Sequence, residues 1–206
     1  MKCSEICALI EQEYGTEYAC DWDNVGLLAG RSTKEVKKIL LSLDATDEVV
    51  RMAVEGGYDM LITHHPMLFS AIKRVTDQDM NGRRLLELIR NDISYYAMHT
   101  NYDTRGMADL AARLLGLTEC TVLEEVKDGE GIGRVGKLPH PMTLRECGEQ
   151  VKVAYGIPNV RLFGDPDTQV SLAGVCPGAG KSTMPLALGF GCDVYITGDI
   201  DHHTGI

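Results

Sequence analysis

Two short segments carry the residue types from which a divalent-metal site is built. His64-His65-Pro66 follows the apolar run Met60 to Ile62, and His99-Thr-Asn-Tyr-Asp103 follows the β-rich stretch that begins at Ile93. Imidazole nitrogen and carboxylate oxygen together suit zinc, manganese or iron, and no cysteine stands beside these segments to favour a structural thiolate site. Neighbouring residues of an extended chain point to opposite sides. His64 and His65 are therefore expected to serve two ions a few ångströms apart, where Pro66 bends the backbone, rather than to chelate one. Asp103 supplies a hard oxygen that binds one ion or bridges two. His99 either ligates, or holds Asp103 or a bound water from behind, and it is the candidate for moving protons. The expectation is a dinuclear centre on His64, His65 and Asp103.

Other polar clusters are weaker. His202 and His203 follow the run Val194 to Thr197; they read as ligands or as helix-start and supporting residues, with Asp199 and Asp201 competing for the same role. Gly178-Ala-Gly180-Lys181-Ser182 resembles a phosphate loop, but that pattern needs glycine five positions before its last glycine, where Val175 stands. A strand-to-helix turn is the expectation there, with Lys181 and the loop amides available to an anion. Trp22-Asp23-Asn24-Val25-Gly26 reads as a loop whose Asp23 and Asn24 are candidates for proton transfer or substrate contact. No Gly-x-Ser-x-Gly elbow is present to start a serine-hydrolase reading, and no purine-stacking pair or base-reading motif stands out.

The elements that must position these residues follow from periodicity and end signals. The opening residues read as a short amphipathic helix, not a signal peptide, because acidic residues interrupt the apolar ones. Ile39 to Leu43 is a strand; Thr46 or Asp47 caps a helix that stops at Gly56-Gly57; Met60 to Ile62 is a buried strand. Strand, helix, strand in that order is a βαβ unit with parallel strands under helices. Ligand groups gather at the carboxyl ends of such strands, where both His segments lie. A helix over roughly 81–91, a strand from 93 opening into a loop, and a helix over 107–117 follow. Thr143 with Glu146 starts a helix to Gly156 through a capping box, and VRLFG and QVSLAGVC are expected strands. Gly57-Tyr-Asp-Met-Leu-Ile-Thr63 is echoed by Gly191-Cys-Asp-Val-Tyr-Ile-Thr197, which two related βαβ halves would explain. The Gly- and charge-rich segment 127–138 suggests the boundary, giving an N-terminal α/β lobe over 1–126 and a second over 127–206.

Composition sets limits. With 206 residues, 44% of them hydrophobic, the chain buries a real core as one large domain or two small ones. A net charge of −10 argues against a general nucleic-acid binder. No apolar stretch approaches the roughly 18–20 residues that span a bilayer. Seven cysteines, an odd number without a CxxC pair, indicate reduced thiols in a cytoplasmic protein.

Taken together, DWDNVGLLAG, LLSLDAT, DMLITHHPMLF, AMHTNYD, VCPGAGKS and DVYITGDIDHH resemble the NGG-one-interacting-factor-three-like family, whose members also carry the name GTP cyclohydrolase I type 2. The resemblance runs end to end. It implies a two-lobed α/β subunit, assembled as a toroidal homohexamer (a trimer of dimers), with two divalent metal ions per subunit. The family's ligand positions fall on His64, His65 and Asp103. Its remaining ligands, a His and a Glu in an HxxxE motif near the C-terminus, have no counterpart before Ile206, so the sequence reads as C-terminally truncated. The activity implied is a metal-dependent hydrolase acting on a small molecule of unspecified identity; the competing expectation is a hexameric metal-binding adaptor without turnover.

Overall fold

The structure is a computed structural model that describes residues 1–205. Its contacts divide it into two compact units, Met1–Tyr102 and Asp103–Ile206. Each contains a four-stranded sheet.

In the first unit the strands are β1 (Gly26–Ala29), β2 (Ile39–Ser42), β3 (Met60–Thr63) and β4 (Ser94–Ala97), ordered β1-β4-β3-β2. β2, β3 and β4 are parallel, and β1 runs antiparallel on the edge beside β4. β3 and β4 are buried at every position, as strands covered on both faces must be. Alternation sorts their side chains. Met60, Ile62 and Tyr96 pack with Cys3 and Cys7 of helix α1 (Cys3–Glu13). Leu61 and Tyr95 pack with Val50 and Ala53 of α2 (Asp47–Glu55) and with Leu85 and Leu88 of α3 (Met80–Arg90). At α2 the capping chemistry matches the sequence reading, the Thr46 side chain accepting from the Val49 amide, and at α3 Asp79, which the reading did not name, accepts from Gly82. After β4 a single helical turn, α4 (Thr100–Tyr102), closes the unit.

The second unit opens on a π-helical turn, Asp103–Met107, that leads into α5 (Ala108–Leu114). The expected loop after His99 is therefore helical. Its sheet is ordered β5 (Thr118–Lys127), β6 (Glu130–Thr143), β7 (Gln169–Cys176), β8 (Val194–Thr197). β5, β6 and β7 are antiparallel neighbours and β8 is parallel to β7. α6 (Leu144–Tyr155) carries the expected capping box, with Thr143 and Glu146 bonded reciprocally. α7 (Met184–Gly189) joins β7 to β8. No helix among the described residues is long and apolar enough to cross a membrane.

Three expectations are corrected. The segment at 127–138 is no boundary: Asp128-Gly129 turns the β5–β6 hairpin, with Lys127 opposite Glu130 and φ of 53° and 79°. Positive φ at both central residues is what a tight two-residue hairpin needs. Charged residues in both strands hid their alternation, and the division falls instead at Tyr102/Asp103. Gly26, read as the last residue of a loop, instead starts the edge strand β1, too short to show a period. Residues 160–164, read as a strand, form none.

The internal echo is a structural repeat. β2-α2-β3 and β7-α7-β8 are both parallel βαβ units. Gly57 and Gly191 take φ of 61° and 74° just before β3 and β8. Asp59 then accepts from the Lys37 and Lys38 amides at 2.8 and 2.9 Å, as Asp193 does from Ser171 and Leu172, both at 2.9 Å. Each carboxylate ties the start of the second strand to the first. Replacing either, Asp59→Ala or Asp193→Ala, is expected to lower unfolding free energy by about 1–2 kcal/mol. Urea denaturation reads this; a cost at one position and none at the other would break the equivalence.

Candidate metal centre

β3 and β4 end at the same level, Thr63 beside Ala97 in the parallel register. The next backbone groups still follow the ladder: His64 and His65 amides donate to Ser42 and Leu43 carbonyls at 3.3 and 3.0 Å, and Met98 donates to Thr63 at 2.9 Å. The turn that follows is clamped from below. The Thr63 hydroxyl donates to the His65 carbonyl at 2.8 Å and is bonded to the Tyr95 hydroxyl at 2.9 Å. Tyr95, fully buried, also accepts from the Met67 amide at 2.7 Å. Two side chains from the strand interiors thereby fix the His64–Met67 backbone. Nothing in the sequence marked Thr63 or Tyr95 as more than core.

Three imidazoles meet above this clamp. Ring centroids of His64 and His65 lie 5.0 Å apart, those of His64 and His99 5.0 Å, and those of His65 and His99 5.6 Å. Each ring is oriented through Nδ1. That of His64 reaches the Met98 carbonyl at 2.9 Å, that of His65 the Asp44 carboxylate at 2.8 Å, and that of His99 both Asp23 oxygens at 3.0 Å. A carbonyl or carboxylate oxygen only accepts, so every Nδ1 carries a proton and each neutral ring keeps its lone pair on Nε2. Burial, ahead of every other cause, depresses the His64 pKa, which favours the neutral ligand form.

Asp23 is the most tightly held of these groups. Its side chain has no exposure, against 16% for His99 and 49% for His65. Burial would raise its pKa, but bonds from His99, from the Thr100 hydroxyl and amide and from the Asn24 amide overcome this and hold it at about 2. Its carboxylate is taken up by the Asn24 amide of its own loop and by His99 and Thr100 beyond β4. The sequence assigned Asp23 to protons or substrate; the structure makes it the brace of His99. Asn24 likewise faces inward, donating from Nδ2 to the Leu68 carbonyl at 2.5 Å.

The donor set fits a divalent cation. One ligand atom from each of His64, His65 and His99 lies within 4.8 Å of the others. A tetrahedral ion with bonds of about 2.0–2.1 Å needs nitrogens about 3.4 Å apart, closer than that limit. Bonding of the far ring nitrogen to carboxylate or carbonyl is the usual support of metal-ligating histidines. The chain bends at His64 and His65, so these neighbours, expected on opposite sides, bring their rings within 5.0 Å by centroid. Asp44, two residues past the end of β2, was readable from the carboxyl-end rule and was missed.

The remaining candidates lie in the second unit. Asp103 opens the π-helical turn and is not a member of the three-residue group. Burial above all, with the charge of Asp103 among lesser causes, pushes the Cys176 thiol up. Lys181 pairs with the Asp201 carboxylate. The loop resembling a phosphate cradle is filled by its own unit: the Gly180 amide donates to Thr197 Oγ1, and a Cβ at Gly180 would fall 2.2 Å from the Tyr195 hydroxyl. His202 and His203 stand 5.6 Å apart by ring centroid, in a turn held by Asp201 and Thr204. Neither belongs to the imidazole group.

Comparison with known proteins agrees with this architecture. A family model described as Duf34/NIF3 (NGG1p interacting factor 3) matches residues 1–206. The chain is 35% identical over 207 residues to a Clostridium perfringens protein named GTP cyclohydrolase 1 type 2 homolog, covering 98% of this chain and 79% of that one. Among solved structures it matches a Bacillus cereus protein related to NIF3 with a TM-score of 0.92 at 24% identity, over 100% of this chain and 84% of that one, a likeness of fold alone. It also matches reduced HcgD from Methanocaldococcus jannaschii, with a TM-score of 0.76 and 29% identity over 100% and 81% of the two chains.

The hydrogen bonds fix a tautomer that is directly visible. Side-chain nitrogen spectra of metal-free protein are expected to show His64 and His99 protonated at Nδ1. Protonation at Nε2 in either ring would contradict the geometry.

Proposed function

Because the chain belongs to the Duf34/NIF3 family, we propose that it is a divalent-metal-dependent hydrolase whose imidazole ligands are His64, His65 and His99. The observation that carries this reading is the convergence of three rings, each oriented at Nδ1 by a different oxygen. A divalent cation held there supplies a Lewis acid and lowers the pKa of water to near neutrality. Asp23 keeps His99 in its ligating tautomer, Asp44 does so for His65, and the Met98 carbonyl does so for His64. Tyr95 and Thr63 hold the turn that sets the spacing of His64 and His65.

Asp103 is proposed as the oxygen donor of a second ion, on the strength of the HTNYD motif and the family resemblance. His99, first considered for proton transfer, is assigned to ligation because it shares the group with the other two rings. The substrate class is an electrophilic carbon or phosphorus centre in a small molecule, in keeping with the name of the Clostridium perfringens relative. A homohexamer is proposed on the same resemblance. All seven cysteines are free thiols, which supports a cytoplasmic setting.

Elemental analysis of the purified chain is expected to find divalent metal, lost on His64→Ala or His99→Ala and accompanied by metal-dependent hydrolysis on a panel of cyclic amides and phosphoesters. Metal without turnover would leave a metal-binding adaptor, and absence of both would end the reading. Asp23→Asn, which keeps the shape and removes the charge, is expected to weaken metal binding about 10- to 100-fold. Competition against a chromophoric chelator measures it, and unchanged affinity would remove the brace from the account.

A further inference from the structure

The only tryptophan in the chain lies beside the imidazoles and faces solvent. Trp22 is 59% exposed and Phe69 50%. Their ring centroids are 5.7 Å apart at 46°, and Trp22 is 6.2 Å from His99. Many apolar side chains of this protein are exposed singly, which needs no explanation. These two differ in touching one another as a pair of aromatic rings and in bordering the imidazoles.

They are also held in place. The residues flanking Trp22 are pinned: the Cys20 amide donates to the Thr100 hydroxyl at 2.9 Å, and the Asp23 carboxylate accepts from the Thr100 amide at 3.0 Å. The Asp23 amide closes the turn onto the Cys20 carbonyl at 2.9 Å. Phe69 follows Leu68, which is buried and whose carbonyl accepts from Asn24 Nδ2. One hydrogen bond therefore ties the loop carrying Trp22 to the loop carrying Phe69. Neither aromatic covers the core, yet the backbone beneath each is fixed. Rigid aromatic surface left open to water, with the ordering cost already met in the free protein, is the signature of a stacking subsite.

We propose that Trp22 and Phe69 form a platform that binds a planar heteroaromatic ring of the substrate by stacking, next to His64, His65 and His99. The tilt between the two rings leaves an open wedge, so a flat ligand lies against one face and is edged by the other ring. Trp22 and Phe69 are far apart in the chain, which hides their pairing from a reading of local motifs; the bond from Asn24 to Leu68 joins the loops that carry them. What the ring does once bound rests on the hydrolase reading; the binding itself does not.

Tryptophan fluorescence tests it, since Trp22 is the sole emitter of its kind. Metal-free protein with all three histidines intact is titrated with guanosine and GTP, the base named for the relatives, and with inorganic triphosphate and ribose 5-phosphate as ringless controls. Saturable quenching by guanosine and GTP but not by the controls is expected. Phe69→Ala is expected to weaken it about five- to 150-fold, the range for losing one stacking partner. Calorimetric titration of Trp22→Leu is expected to show the same loss.

No quenching by either purine would overturn the platform while leaving the metal reading intact, because metal content is measured separately. Quenching by triphosphate alone would overturn it in favour of an anion site. A fluorescence change that follows protein concentration, with a smaller assembly for Trp22→Ser, would overturn it in favour of a contact between copies of the chain.

Discussion

The parallel register of β3 and β4 is the constraint on which the site depends. Thr63 pairs with Ala97, so the two strands finish together and the residues just beyond them must emerge side by side. His64 and His99, far apart in sequence, become neighbours through that pairing. Both strands are fully buried, and a one-residue slip would exchange the side chains packed against α1 for those packed against α2 and α3. The spacing of the imidazoles is therefore secured by the hydrophobic core of the first unit. Thr63 and Tyr95, within the same strands, carry that rigidity into the turn by bonding the His65 carbonyl and the Met67 amide.

A second layer of control is electrostatic. A buried carboxylate costs free energy unless it is paired and fully hydrogen-bonded. Asp23 meets that condition with Thr100, Asn24 and the His99 ring. Its placement serves two ends at once, orienting His99 and locking the loop that presents Trp22. Asp44 acts on His65 from a half-exposed position and is screened by solvent. The two braces are thus unequal, with His99 held more firmly than His65.

Much of the architecture was legible because it rests on local signals. The βαβ order, the Thr46 and Thr143 caps and the echo between Gly57–Thr63 and Gly191–Thr197 are written in short segments. What escaped depends on contacts distant in sequence. Gly26–Ala29 is a strand only because β4 offers it an edge. The β5–β6 hairpin hid behind charged residues, although Asp128-Gly129 was available as a turn signal. His64 and His65 were readable as candidate ligands, and His99 was left between ligation and support; its place against the other two rings depends on the register and the Asp23 brace. The repeat also diverged at its functional end. Where β3 runs into His64 and His65, β8 runs into Gly198 and Asp199, whose amides both donate to the Gly178 carbonyl. Tyr195 and Thr197 pack the loop beside them, so the sequence echo alone overstated the likeness of the two His pairs.

The central claim is that three imidazoles share one ion. X-ray absorption of the protein loaded with one equivalent of zinc counts them directly. The account predicts scattering from three imidazole rings with nitrogens at about 2.0–2.1 Å, falling to two in His99→Ala. An unchanged spectrum in that variant would contradict it.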